Sequence, residues 1–213
     1  EAIDKNKDQS YFLCQLNQEQ LKKVIFPIGG LLKSQVREIA LKQKLATADR
    51  KDSQGLCFVG KIKIPEFLSK KLNKTTGDII EIDSENHIYK KQKKSIQEKS
   101  KSFEYSPKDG ITIGQHYGAH FFTIGQRKGL NVGGKEKPLF VIKTDVKKNI
   151  IYVGMGEKHP GLYKKALKIK NENCHWIRKD LKLKNGEERD FLIRTRYRQP
   201  LIPGKLMMRE DYL

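Results

Sequence analysis

A cysteine set in a basic, glycine-containing turn is the sequence's clearest candidate for covalent chemistry. In Lys51-Asp52-Ser53-Gln54-Gly55-Leu56-Cys57-Phe58-Val59-Gly60, Gly55 lets the backbone bend and bring the next side chains to a loop edge. Arg50, Lys51 and Lys61 place cations around the thiol. Cations favour the thiolate, the form that attacks an electrophile or carries sulfur. The competing reading is an inert cysteine buried between Leu56 and Phe58, and the residues alone leave both open. The chain's other cysteines, Cys14 and Cys174, are too few and too scattered for a disulfide framework or a zinc site with paired spacing. His116 and His120 stand at i and i+4, but Gly118 between them argues against a helix. No carboxylate or cysteine completes a ligand set, so no metal is expected. Gly154-Met155-Gly156 leads to Pro160 rather than into a helix, which rejects a dinucleotide-binding loop.

Lys and Arg number 44 against 25 Asp and Glu, a formal net charge of +19 over 213 residues. Such a surplus speaks of partners rather than of fold, and nucleic acid is the polyanion that most often answers it. An anionic membrane competes, but no long basic amphipathic helix is visible. The most apolar run, Val24 to Leu32, is broken by Pro27, Gly29 and Gly30 and is too short to span a bilayer. The N-terminus opens on charged residues with no visible signal peptide, so a reducing cytoplasm is the expected compartment.

The elements that must position these groups divide the chain. Residues 1–60 read as mostly helical: a start capped by Asp8 or Ser10, a short helix from Asn17 to about Val24, and a third helix N-capped by Ser34 that frays near Lys44. Pro65 to Leu68 starts another short helix, and Ile79 to Ile82 reads as a strand. Residues 84–110, with Lys90, Lys91, Lys93, Lys94, Lys99 and Lys101, are the least foldable by composition. They read as a solvated loop or a basic RNA-touching arm. Thr112–Gly118 is echoed by Thr123–Gly129, which suggests two similar turn-containing segments of one small β domain. In the second copy Arg127 and Lys128 sit beside glycines, a plausible phosphate-contacting turn. Leu139–Ile142 and Asn149–Val153 read as a hairpin, and Ala166–Ile169 as a further strand. In Phe191–Arg198, alternation places Phe191, Ile193, Thr195 and Tyr197 on one face and Arg194, Arg196 and Arg198 on the other.

Five motifs in order, KDQSYFL (7–13), KDSQGLCF (51–58), TIGQRKGL (123–130), HW (175–176) and TRYRQ (195–199), resemble the tRNA-specific 2-thiouridylases. These enzymes place sulfur on the wobble uridine of certain tRNAs. The resemblance implies a multidomain α/β plus β architecture. Residues 1–60 would be the helical end of an ATP-pyrophosphatase-type α/β catalytic domain. Residues 61–135 would form a small β-rich central domain with 84–110 as a basic insertion, and 136–213 an incomplete C-terminal β-barrel. It implies Cys57 as the persulfide-bearing cysteine, and Lys7, Asp8, Gln9, Arg196 and Tyr197 as tRNA contacts. Arg127, Lys128, Arg194 and Arg198 are further candidates for the same backbone. Capping by Asp8 and contact with tRNA are compatible, since a cap uses one carboxylate oxygen. His175 and Trp176 are expected to be structural.

The family's chemistry uses ATP to turn the uridine C2 oxygen into a leaving group, a sulfur-donor protein to load the persulfide, and a first cysteine to release the product. Neither the family's SGGxDS loop nor that first cysteine stands in this sequence. The expectation is therefore a piece of a larger enzyme, with its ATP site upstream and no cofactor site of its own. A non-catalytic RNA-binding module is the alternative of a different class. A cysteine redox protein is a third, and it would need a second thiol near Cys57.

Overall fold

The computed structural model describes residues 1–51, 72–197 and 199–213. Its regular elements are α1 (Gln18–Leu21), α2 (Lys33–Lys42), β1 (Gly77–Glu81), α3 (His87–Lys90), α4 (Ile96–Ser100), β2 (Ile111–His116), β3 (Leu139–Asp145), β4 (Ile150–Met155), β5 (Glu188–Ile193) and β6 (Ile202–Met207). The chain forms two compact units. One joins residues 1–53 to 168–213, and the other holds 54–167. The expected helix at Pro65–Leu68 lies outside the described residues.

The 54–167 unit is built on a mixed four-stranded sheet in the order β2-β1-β4-β3. β1 pairs antiparallel with β2 and parallel with β4, and β3 and β4 form the hairpin that the apolar runs suggested. Successive side chains of a strand point to opposite faces, and both faces are covered. Ile79, Val141, Ile151 and Val153 pack with Ala119 and Leu130 on one side. Ile80, Ile82, Ile142 and Tyr152 pack with Tyr105 on the other. Double-sided burial explains why β1 and β4 read as continuous apolar runs rather than clean alternation. Gly154 is fixed by a close approach: a Cβ there would lie 2.4 Å from His159 Nδ1. The buried His159 accepts from the Gly161 N–H at Nδ1 and donates from Nε2 to the Ile82 carbonyl, so it is held neutral.

Three expectations are corrected in this unit. Residues 84–110 are not a bare solvated loop. Ile88, Tyr89, Phe103 and Tyr105 cover the second face of the sheet, and the Tyr89 and Tyr105 hydroxyls bond at 2.9 Å. A few aromatic residues among many lysines supply enough buried area to order the segment, and composition averages that away. β3 and β4 lie in the same sheet as β1 and β2, not in a separate C-terminal barrel. The internal echo is also unequal: the first copy is β2, whereas the second is a pair of turns with Gly125 at φ 84° and Gly129 at φ 87°.

The unit of 1–53 and 168–213 is organised differently. β5 and β6 pair antiparallel as a two-stranded ribbon, and no closed barrel forms among the described residues. Ala166–Ile169 is not a strand. Only its end engages, where Ile169 exchanges backbone hydrogen bonds with Leu213 and Lys170 bridges Tyr212. Asn17 caps α1 by accepting from the Gln20 N–H. α2 begins two residues earlier than a Ser34 cap would dictate: Leu32 is its N-cap residue, and its N–H donates to Gln35 Oε1 at 2.8 Å. Lys44, at φ 51°, follows its end. Neither helix buries a residue.

Candidate nucleic-acid interface

The first and last sequence motifs meet within the 1–53/168–213 unit. Asp8 is 9% exposed, and both its carboxylate oxygens are engaged by Ser10, Oδ1 by the N–H at 3.0 Å and Oδ2 by the hydroxyl at 3.2 Å. That N–H bond, ahead of the opposing cost of burial, holds the Asp8 carboxyl below its ordinary range. Asp8 thus anchors the turn Ser10–Leu13, and its neighbours Lys7 and Gln9 are exposed. Around them, the Ile3 N–H donates to the Gly29 carbonyl and the Lys33 N–H to Asp4 Oδ2, fixing the segment against the start of α2.

Tyr197 closes the assembly from the other end of the chain. Its hydroxyl donates to the Asp8 carbonyl at 2.5 Å, across 189 residues of sequence, and its ring lies 4.0 Å from that of Tyr11. The loop that carries it is tied by Gln199, whose Oε1 accepts from the Thr195 N–H, the Thr195 hydroxyl and the Arg196 N–H. The Gln199 N–H in turn donates to the Arg196 carbonyl. Lys7, Asp8, Gln9, Arg196 and Tyr197 therefore form one neighbourhood, in which Arg196 is exposed. His175 Nε2 donates to the Leu16 carbonyl at 2.9 Å, and Gln18 Nε2 to the Ile177 carbonyl at 3.1 Å, stitching the same two stretches together.

The alternating arginine face is a correction. β5 ends at Ile193, and residues 194–197 turn, so Arg194 and Arg196 do not share a strand face. The Gln199 bonds to Thr195 and Arg196 outcompete ladder pairing at that point. Arg194 lies 4.0 Å from Glu1 as an ion pair. Arg198 and Cys57 lie outside the described residues. The Tyr197 hydroxyl turns inward to the Asp8 carbonyl rather than reaching out. Two contributors were missed, Tyr11 and Gln199. Both lie inside the quoted motifs, but nothing in their local pattern signals a partner near the other end of the chain.

In the other unit, Arg127 and Lys128 sit on the turns after Thr123. Gln126 holds those turns: Oε1 accepts from the Thr123 N–H and Nε2 donates to the Lys128 carbonyl. The Gly125 N–H donates to the Val141 carbonyl and the Val141 N–H to the Gln126 carbonyl, which pins the loop to β3. The two side chains are exposed. Arg127 borders a groove of about 390 Å³ that also takes in Gly133, Gly134, Lys135 and Lys137.

Of the two described thiols, Cys14 is exposed and Cys174 is partly buried. Cys174 donates to the Lys170 carbonyl at 3.5 Å, and burial pushes its thiol up. The start of α2 does not fit an ATP phosphate. The one helix start preceded by glycines is that of α2, where the Leu32 and Lys33 N–H groups already donate to Gln35 and Asp4. Asp4 would repel a phosphate there.

Two domain families match the sequence: the tRNA methyl transferase HUP domain over residues 1–61 and the tRNA methyl transferase PRC-barrel domain over residues 93–155. Curated relatives carry the name tRNA-specific 2-thiouridylase MnmA. That of Flavobacterium johnsoniae is 56% identical over 93% of this chain and 52% of its own length. Those of Christiangramia forsetii and Karelsulcia muelleri are 52% and 58% identical, over 98% and 93% of this chain. The chain spans about half the length of these relatives: 52%, 54% and 51%.

Proposed function

The chain belongs to the tRNA-specific 2-thiouridylase family, and from that membership we propose that it serves an enzyme that 2-thiolates the wobble uridine of tRNA in the cytoplasm. The chain's own share is to carry sulfur and to hold RNA. Cys57, in its basic setting, carries the sulfur as a persulfide loaded by a donor protein. The outer sulfur attacks C2 of the uridine as the activated C2 oxygen leaves with its activating group; a second thiolate then attacks Cys57 Sγ, breaking the S–S bond, which releases the 2-thiouridine and leaves a disulfide. An anticodon loop suits such chemistry, because its bases are already single-stranded and cost little to unstack.

The observation that carries the RNA-holding part is the meeting of Lys7-Asp8-Gln9 with Arg196-Tyr197, joined by the Tyr197–Asp8 hydrogen bond. Lys7 and Arg196 are the phosphate-contacting groups, while Asp8 and Tyr197 position the surface. Arg127 and Lys128 offer further contacts of the same kind. The domain descriptions speak of methyl transfer. Sulfur transfer is the reading adopted, because Cys57 stands among cations where a thiolate is favoured and because the relatives bear that name.

In the complete enzyme, Cys57→Ser should abolish 2-thiouridine formation, read by mass spectrometry of digested tRNA, while tRNA affinity stays within about 2-fold, since the substitution removes no phosphate contact. Thiolated product at the wild-type rate would overturn the assignment. Equal tRNA binding with no Cys57-dependent product in either protein would leave only an RNA-binding module.

A further inference from the structure

Phe12, Tyr11 and Tyr197 form a short stack of rings. Centroids are 4.2 Å apart for Phe12–Tyr11 and 4.0 Å for Tyr11–Tyr197, with interplanar angles of 32° and 33°. All three are substantially exposed, at 63%, 43% and 40%. Burial does not account for an exposed stack. The stack is held in place from beneath: Tyr197 through its bond to the Asp8 carbonyl, Tyr11 and Phe12 by the turn that Asp8 anchors. Its ordering cost is therefore met before any ligand arrives. Lys7 and Arg196 stand beside the two ends of this segment, on a chain of net charge +19.

Stacked rings flanked by cations are the arrangement that holds single-stranded nucleic acid, cations on the phosphates and rings on the base faces. We propose that Phe12 and Tyr11 form a stacking platform for an unpaired base of the RNA loop, an inference that rests on the tRNA-holding reading above. Phe12, at the open end of the stack, takes the base directly, and Tyr11 backs it. The competing occupant is an apolar protein surface. The aliphatic side chains Val24, Ile25 and Ile28 elsewhere in the unit suit that role better than rings between cations do.

The test titrates the full chain with an RNA hairpin bearing the anticodon loop, at several salt concentrations. Phe12→Ala should weaken binding about 5- to 100-fold, the worth of one stacked base, without changing the slope of log affinity against log salt. Phe12→Trp should restore affinity, and Phe12→Leu should not. In a scan of abasic substitutions across the loop, one position should cost the wild type that same factor and cost Phe12→Ala nothing more. Wild-type affinity in Phe12→Leu would mean that the ring serves as apolar surface and would overturn the platform. So would a Phe12→Ala loss that persists unchanged on a fully abasic loop. Absence of any salt-dependent binding by the wild type would instead bring down the tRNA-holding reading itself, and the platform with it.

Discussion

The two units of this chain spend their apolar residues in opposite ways. In the 54–167 unit, Ile79, Ile80, Ile82, Val141, Ile151, Tyr152 and Val153 are all 1% exposed or less. In the 1–53/168–213 unit the helices bury nothing, and Ile25 is 85% exposed. The first unit carries its own core. The second buries Leu183 and Met208 among the described residues, and it leaves rings and aliphatic groups facing outward, where exposed apolar surface marks interaction sites. The two units thus differ in how far their apolar residues are buried.

The sharpest way to break this comparison is a pair of truncations. Ile79→Ala should cost about 2–4 kcal/mol in denaturant unfolding, because the cavity sits inside a sheet covered on both faces. Ile25→Ala should stay within about 0.5 kcal/mol. Equal costs would erase the distinction.

Acid should separate the units next. Burial, opposed in part by Asp78 for His116 and by the Ile82 carbonyl for His159, lowers both histidines below their ordinary value. Their folded-state affinity for protons is below the unfolded one, so stability is full above pH about 6.5 and falls as pH drops beneath it. The slope is up to roughly 1.4 kcal/mol per pH unit for each histidine. Both lie in the 54–167 unit. Hydrogen exchange from pH 7 to pH 5 should show that unit loosening first. Asp8, whose carboxyl is held low, adds stability to the other unit that is lost only in stronger acid. A pH-independent sheet would contradict the neutral burial of the histidines.

Tyr197→Phe keeps the ring stack and removes one hydrogen bond, so it should cost about 1 kcal/mol and loosen residues 8–14 in exchange measurements. A small effect is expected at Tyr152, 0% exposed with no hydroxyl partner among the described residues. Tyr152→Phe should be neutral or stabilising by up to about 1 kcal/mol in thermal unfolding. A clear loss would mean that the hydroxyl has a role the packing does not show.

Much of the sheet was legible because burial on both faces leaves continuous β-branched runs, as in Ile79-Ile80 and Ile150-Ile151. Chain order misled at β3 and β4: a run of strands after Pro138 says nothing about which sheet they join. Composition misled at 84–110, where Tyr89, Phe103 and Tyr105 order a lysine-rich segment. Periodicity misled at 194–198, since Gln199 offers Thr195 and Arg196 hydrogen bonds that end the strand. In the candidate site, the motifs named Lys7, Gln9 and Arg196, which the structure finds exposed. The contact between Tyr197 and Asp8 was not legible, because no local pattern encodes a partner 189 residues away.

The central claim is that Lys7 and Arg196 belong to one RNA-binding surface. It is tested most directly by tRNA titrations from low to high salt with Lys7→Ala, Arg196→Ala and the double variant. Each substitution should weaken all tRNAs about equally and lower the salt slope by about 0.7–0.9, with the double variant lowering it by about 1.6. Unchanged affinity and slope in well-folded variants would contradict the account.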